Sequence, residues 1–97
     1  MLSGKQTRYL RGLGHELNPV VRIGQAGVSA AVLSKTAEEL QAHELIKVKL
    51  GDGCLEEPLA VGKLLAEGCG AELVQKIGKT LILYRRRKEE PTIELPR

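Results

Sequence analysis

The chain has 97 residues, of which 42% are hydrophobic and 28% charged, and its formal net charge is +3. This length predicts one domain with one core and leaves little volume for a deep internal pocket, and the composition is too apolar for a disordered chain. The first twenty residues contain no long apolar run, which argues against a signal peptide or membrane span there, so we expect a cytoplasmic protein with no membrane partner.

The first predicted element is a short amphipathic helix over residues 2–13. Its apolar residues recur at helical spacing, whereas its cations lie largely elsewhere around the helix axis. Ser3 is a favourable N-cap because its hydroxyl can accept a hydrogen bond from an unpaired amide of the first turn. Gly12 and Gly14 are expected to end the helix.

A strand, a loop and a second helix are predicted next. Asn18-Pro19 favours an extended entry into a strand over Val20–Ile23. The loop Gly24–Gly27 joins this strand to the helix. Ser29 is the expected N-cap of that helix, and an apolar stripe continues it to about His43.

The segment Leu45–Leu50 alternates between apolar and basic residues, and this period of two predicts a half-buried strand. The side chains expected to face the core are Ile46, Val48 and Leu50. The side chains expected on the opposite face are Lys47 and Lys49. The strand therefore predicts one apolar and one basic face of the sheet.

The last third of the chain predicts a helix, a hairpin and a tail. Pro58 suits the first turn of a helix, which Gly68 and Gly70 are expected to stop. Strands over residues 72–77 and 80–85 are joined by Gly78-Lys79, whose leading glycine suits a type II′ turn. Residues 87–97 form a charged tail that we expect to be ordered at most in part.

The predicted order is helix, strand, helix, strand, helix, strand, strand. Alternating helices and strands that end in a hairpin favour an α/β domain over residues 1–86. The expected architecture is a two-layer α/β sandwich in which helices cover a mixed four-stranded sheet. Such a fold leaves function to its surface.

The cations are concentrated in two segments. Residues 1–22 carry four cations against one acid, and residues 76–88 carry six cations and no acid. Between them, residues 23–75 carry four cations against eight acids. A dense positive segment is often only a solvated surface, but it also costs stability through self-repulsion, which a bound polyanion would relieve.

No motif for catalysis or metal binding is present. Cys54 and Cys69 lie in no redox or metal motif, and we expect both to be reduced. Together with His15 and His43 they show no metal-ligand spacing, and no nucleophile and base can be paired. Gly78-Lys79-Thr80 resembles the end of a phosphate-binding P-loop, but it lacks the earlier glycine and precedes a strand. We therefore expect no cofactor, metal, small-molecule substrate or enzymatic activity.

The Gly24-x-x-Gly27 loop lies between a strand and a helix N-terminus. Glycines here can simply make a tight turn. They can also let a nucleic-acid backbone approach closely, where the helix dipole favours phosphate, as in the G-x-x-G loop of KH domains. Gln25 and Ala26 carry no charge, so contacts would be mostly main-chain, with Arg22 the nearest cation.

The chain has only two aromatic residues, Tyr9 and Tyr84. Modules that read bases by stacking on several aromatic rings are therefore disfavoured. Tyr84 could stack on a base, although a strand tyrosine more commonly fills the edge of the core. Recognition of the nucleic-acid backbone and shape is the remaining mode.

Three separated motifs, Val20–Ser29, His43–Lys49 and Ile77–Arg85, together resemble the CRM domain, named for chloroplast RNA splicing and ribosome maturation. The similarity spans about residues 2–86, and a lone domain of this length is similar to the bacterial YhbY-like members. The resemblance implies RNA binding through the G-x-x-G loop and a basic surface, and association with precursors of the large ribosomal subunit. It also implies a fold like the C-terminal domain of translation initiation factor 3.

Under this resemblance the loop glycines correspond to Gly24 and Gly27. The remaining expected RNA-binding residues flank the loop or belong to the basic segments: Arg22, Gln25, Ala26, Lys5, Arg8, Arg11, Lys47, Lys49, Lys76, Lys79, Arg85, Arg86, Arg87 and Lys88. We expect a monomer whose partner is ribosomal RNA. The alternative is a protein-interaction module that docks on a ribosomal protein or an assembly factor through the sheet or the first helix.

Overall fold

The computed structural model describes residues 2–97. Its elements follow the predicted order: α1 Gly4–His15, β1 Pro19–Ile23, α2 Ala30–His43, β2 Leu45–Leu50, α3 Pro58–Cys69, β3 Glu72–Ile77 and β4 Thr80–Tyr84. Across this described range, no helix is long and apolar enough to cross a membrane.

The four strands form one mixed sheet in the order β1-β2-β4-β3. Strand β1 runs parallel to β2, and α2 provides the crossover between them. Strand β4 is antiparallel to both β2 and β3. The predicted α/β fold with a mixed four-stranded sheet is confirmed.

Both faces of the sheet are covered. Helices α2 and α3 pack on one face over a core that includes Ile23, Val48 and Leu81. The sheet and these two helices form the two predicted layers. Helix α1 packs on the other face over a second cluster, which includes Ile82. Because β4 alternates its apolar side chains between the two clusters, it is buried on both sides.

The predicted alternation in β2 is confirmed, with one addition. Ile46, Val48 and Leu50 are buried against α2 and α3. Leu45 is also buried, but in the second cluster under α1. Lys47 is half-buried and Lys49 exposed on this α1 side.

Helix α1 begins as predicted but ends later. Ser3 forms a capping box with Gln6: the Gln6 amide donates to Ser3 Oγ at 3.1 Å, and the Ser3 amide donates to Gln6 Oε1 at 3.0 Å. The prediction that Gly12 and Gly14 end the helix is wrong. A Cβ at Gly14 would lie 2.7 Å from Ile82 Cδ1, so this glycine lets α1 approach β4 closely.

The two glycines expected to stop α3 have different roles. Gly70 is the C-cap, with a positive φ of 63°. Gly68 lies inside the helix, where a Cβ would be 2.7 Å from Leu33 Cδ2. In the following hairpin, φ is positive at Gly78 and not at Lys79, which fits the predicted type II′ turn.

Tail residues contact the α1 side of the domain. Ile93 and Leu95 pack against the second cluster. The carbonyl of Arg97 accepts a hydrogen bond from Lys5 Nζ at 3.1 Å, and that of Pro96 accepts one from Gln6 Nε2 at 3.1 Å. The sequence pattern does not predict these contacts, and the domain boundary at residue 86 stays a prediction.

Candidate nucleic-acid interface

Three turns meet at one end of the sheet, which we call the loop end. They are the loop 24–27 after β1, the turn 51–53 after β2 and the turn 78–79 between β3 and β4. The Gly51 amide donates to the Ile23 carbonyl at 2.8 Å, and the Leu50 amide donates to the Lys79 carbonyl at 2.8 Å. These hydrogen bonds hold the turns against one another.

The loop 24–27 is a closed turn in which the Gly27 amide donates to the Gly24 carbonyl at 3.0 Å. This amide is therefore used inside the loop and is not free for a ligand. Gln25 and Ala26 form the exposed corner. Helix α2 starts just beyond, where Ser29 Oγ accepts from the Val32 amide at 3.2 Å.

The two loop glycines differ in what the fold requires of them. Gly27 is buried and has a φ of 68°, which disfavours any other residue. Gly24 is exposed and has no positive φ, and a Cβ there would meet nothing within 4 Å. Neither backbone conformation nor internal packing thus requires a glycine at position 24.

Two cations lie side by side next to this loop. Arg22 on β1 and Lys49 on β2 are register partners and both are exposed. Since neighbouring strands lie about 4.8 Å apart, their side chains leave the same face of the sheet together. Within residues 2–97 neither cation makes an ion pair.

Lys47 and Lys79 add two cations to this group, but one is half-buried and the other lies near an acid. Lys47 lies two residues before Lys49 on the same face and is half-buried. Lys79 projects from the hairpin turn, and its Nζ lies 3.4 Å from Asp52 Oδ1. Lys79 belongs to the loop end, whereas Lys47 lies farther along β2, beside the first residue of β1.

Helix α1 places two further cations on the same side of the molecule. Arg8, Arg11 and His15 follow helical spacing and share one stripe. His15 Nε2 lies 3.2 Å from Gln75 Oε1, so this stripe is turned toward β3. Arg8 and Arg11 are exposed, whereas Lys5 is held by the tail. We call the exposed surface of α1 and its side of the sheet the α1 face.

Lys76 lies on the other side of the sheet. It pairs in register with Leu81, whose side chain belongs to the core under α2 and α3. It also lies close to Glu57, the N-cap of α3. The amides of Ala60 and Leu59 lower the pKa of Glu57, and the charge of Lys76 lowers it further. Lys76 is thus separated from the α1 face.

The cations of residues 85–88 are at the opposite end of the sheet, which we call the tail end. Arg85 Nη1 donates to the Cys69 carbonyl at 2.9 Å, and its Nη2 donates to the Ala37 carbonyl at 3.1 Å. Arg85 therefore links α3 to α2. The guanidinium group that is predicted to contact RNA is therefore already bound to carbonyls of the protein.

Arg87 is also bound internally. Its Nη1 lies 3.4 Å from the carbonyls of both Gln41 and Ala42, and its Nη2 donates to the Glu90 carbonyl at 2.8 Å. Arg86 and Lys88 remain exposed. Of the four consecutive cations at residues 85–88, two are thus exposed to solvent and two are bound inside the protein.

Glu44 organises the tail end and is the residue that sequence reasoning missed. It is fully buried, and as the C-cap of α2 it has a positive φ of 64°. One carboxylate oxygen accepts from the Arg87 amide at 2.9 Å. The other accepts from the Thr92 amide at 2.6 Å, the Thr92 hydroxyl at 2.8 Å and the Ile93 amide at 3.0 Å.

These hydrogen bonds determine the charge state of Glu44. Burial alone would raise its pKa, but the amides of Arg87, Thr92 and Ile93 and the Thr92 hydroxyl outweigh burial and lower the pKa to about 2. The carboxylate is therefore ionised at neutral pH. A glutamate directly after a helix is ordinarily a solvated residue, so no sequence pattern indicates this role.

The tyrosines and cysteines add no group to the loop end. Tyr84 is buried, as the core interpretation predicts, and burial raises its pKa. Tyr9 is 43% exposed on α1. Cys54 and Cys69 are buried free thiols. In the described part of the chain, no group of three or more potential metal ligands occurs.

Comparison with known proteins identifies the family. The model of the CRS1 / YhbY (CRM) domain matches residues 2–85. "Probable RNA-binding protein YqeI" of Bacillus subtilis is 44% identical over 99% of this chain and all of its own length. An RNA-binding protein of Haemophilus influenzae is 43% identical over 99% of this chain and 96% of its own length.

A solved structure agrees with this assignment. The solution structure of a hypothetical Staphylococcus aureus protein, itself proposed to bind RNA, matches with a TM-score of 0.84 at 38% identity. The match covers 99% of this chain and 100% of that one. The chain therefore belongs to the CRS1 / YhbY (CRM) domain family.

Proposed function

We propose that this protein binds RNA through the loop end and the α1 face, and that its target is ribosomal RNA in precursors of the large subunit. An RNA backbone approaches Gly24–Gly27, while Arg22 and Lys49 contact phosphates. Arg8, Arg11, Lys47 and Lys79 widen the positive surface. The protein acts as a cytoplasmic monomer without catalysis.

The observation that carries this proposal is Gly24. An exposed glycine that the fold does not require costs stability, because glycine increases the conformational entropy lost on folding. Its benefit is the open space that a missing side chain leaves. Close approach of an external backbone at the start of a helix is one use of such space.

Charge distribution supports the same surface. The cations of the α1 face are Lys5, Arg8, Arg11, Arg22, Lys47 and Lys49, against the two acids Glu16 and Glu72. Helices α2 and α3, with Glu56 and Glu57 just before α3, instead carry five acids against two cations. A polyanion is therefore attracted to the α1 face and repelled from the opposite one.

The RNA class rests on two supports of different kinds. Relatives over nearly the whole chain are named as RNA-binding proteins, which favours RNA as the partner. The resemblance to stand-alone CRM domains favours ribosomal RNA and large-subunit precursors. Phosphate contacts supply affinity but little sequence specificity, so the shape of the RNA must supply the specificity.

The electrostatic part is tested by measuring RNA affinity against salt concentration. If four or five phosphates are neutralised on single-stranded RNA, log K should fall with log salt at a slope of about 3. A slope near zero would contradict phosphate contacts as the main source of affinity.

The ribosomal part is tested by sedimenting a cell lysate at low magnesium and detecting the protein across the gradient. We expect co-migration with large-subunit precursors, lost in the double variant Arg22→Gln, Lys49→Gln. If that variant loses RNA binding yet still co-migrates, the protein docks on a ribosomal protein or assembly factor instead. A protein that stays at the top of the gradient at low salt would contradict the ribosomal target.

A further inference from the structure

Glu56 lies against the glycine loop. Its carboxylate contacts Gly27 so closely that a Cβ added to this glycine would clash with Glu56 Oε1. The loop that is proposed to accept an RNA phosphate is therefore lined by an acidic side chain. Sequence reasoning assigned no role to this residue.

The backbone fixes where Glu56 lies. Cys54 is buried in the core, and its amide donates to the Gly51 carbonyl at 3.0 Å. Glu57 caps α3, and its Oε2 accepts from the Ala60 amide at 2.9 Å. Because the chain is anchored at Cys54 and at Glu57, the backbone of Glu56 is held beside Gly27, while its side chain is exposed.

No cation neutralises Glu56 where it lies. Cations of this region act on other acids: Lys79 Nζ lies 3.4 Å from Asp52 Oδ1, and the charges of Lys76 and Lys63 lower the pKa of Glu57. Throughout residues 2–97, Glu56 itself makes no ion pair. An uncompensated carboxylate and a phosphate at the same loop repel each other, most strongly at low salt.

We infer that Glu56 is a specificity-determining residue that competes with the RNA phosphate for the Gly24–Gly27 loop. This inference rests on the proposed function. RNA must displace the carboxylate, and this cost leaves little affinity for an RNA that contacts the loop alone. Ligands that also engage Arg22, Lys49 and the α1 cations gain enough binding free energy to offset the cost, whereas short or unstructured polyanions do not.

The test compares Glu56→Gln with Glu67→Gln. Both variants remove one negative charge, but Glu67 is exposed near the end of α3, away from the loop end. Affinities are measured by fluorescence anisotropy for a large-subunit ribosomal RNA fragment and for a short unstructured RNA. At about 50 mM salt, where screening is weak, we expect Glu56→Gln to bind the short RNA about fivefold more tightly. Glu67→Gln should change affinity less than twofold, as a distant charge does.

The outcomes separate this inference from the proposed function. Equal affinities of the two variants, with the unmodified protein binding RNA, would overturn the inference alone. Weaker binding by Glu56→Gln would also overturn it, because the carboxylate would then accept a hydrogen bond from RNA. If neither the protein nor any variant binds RNA at low salt, the proposed function fails as well. Tighter binding of both RNAs by Glu56→Gln, but not by Glu67→Gln, supports the inference, because every RNA that occupies the loop must displace the same carboxylate.

Discussion

The loop end and the tail end both carry several cations, but they use them differently. At the loop end, Arg22 and Lys49 are exposed and make no ion pair within the described chain. At the tail end, Arg85 and Arg87 donate to helix carbonyls. Cation density along a sequence therefore does not locate a nucleic-acid surface, because donors bonded inside the protein are not available to phosphate.

The reason lies in what each end must satisfy. Helices α2 and α3 finish at the tail end, and the last carbonyls of a helix lack partners within it. The guanidinium groups of Arg85 and Arg87 donate hydrogen bonds to carbonyls there. Their positive charge is also favourable near the negative C-terminal end of a helix. At the loop end, turns close with main-chain hydrogen bonds and need no cations. The four predictions below test this contrast.

The largest effect should follow from neutralising Glu44. Its folded-state pKa of about 2 lies below its ordinary value of 4.5, so its stabilisation is complete only well above pH 4.5 and is lost as pH falls toward 2. The shift corresponds to roughly 3 kcal/mol of unfolding free energy. Urea unfolding across this pH range should show the loss, and Glu44→Gln should remove this part of the pH dependence while lowering stability at pH 7.

Glu94→Gln is the matched control, because Glu94 is an exposed carboxylate of the same tail. Its pH profile should follow that of the unmodified protein. If Glu44→Gln and Glu94→Gln behaved alike at pH 7, the hydrogen bonds of Glu44 would not be the source of tail-end stability.

The next largest effect should be on RNA binding by Arg22→Gln, Lys49→Gln. Removing two phosphate contacts should cost about 2 kcal/mol of binding free energy, which is about thirtyfold in affinity. Because both side chains are exposed, the unfolding free energy should change by less than about 0.5 kcal/mol. Anisotropy titration and urea unfolding measure the two quantities.

Arg86→Gln, Lys88→Gln removes the same charge from exposed residues of the tail end. It should weaken RNA binding less than about threefold, through the general field alone. Equal losses in the two double variants would show that net charge, and not the loop end, determines binding.

A smaller effect, on stability, should follow from Arg85→Gln. Losing its hydrogen bonds to the Cys69 and Ala37 carbonyls should lower the unfolding free energy by about 1.5 kcal/mol. Arg86→Gln, which changes the same charge one residue later, should cost under about 0.5 kcal/mol. Thermal or urea unfolding compares them, and an Arg85→Gln variant that keeps full stability would remove the distinction between the two ends.

The smallest effect should come from Gly24→Ala. A methyl group in the open space beside the loop should reduce RNA affinity about fivefold, or about 1 kcal/mol, by holding the backbone away. Stability should not fall, because the Cβ meets no atom within 4 Å. If Gly24→Ala bound RNA like the unmodified protein, Gly24 would not mark a contact.

The order of elements could be predicted from local patterns. Period-two alternation in Leu45–Leu50, the Ser3 and Ser29 caps and the Gly78 turn each depend on a few neighbouring residues, so the sequence alone determines them. The three motifs also identified the family, because their residues and order are specific. The glycine loop and its flanking cations are predicted from the same local patterns, and their contact with RNA stays a prediction.

Tertiary structure alone decided which polar groups are free. Whether Arg85 is exposed or bonded depends on carbonyls 16 and 48 residues away in the chain. Glu44 accepts hydrogen bonds from residues 43 to 49 positions later in the chain, and Glu56 contacts Gly27 only where two turns adjoin. Local periodicity does not predict such long-range contacts, because they depend on how the elements pack together. The sequence thus determined the elements and the family, and packing determined which charges remain for a ligand.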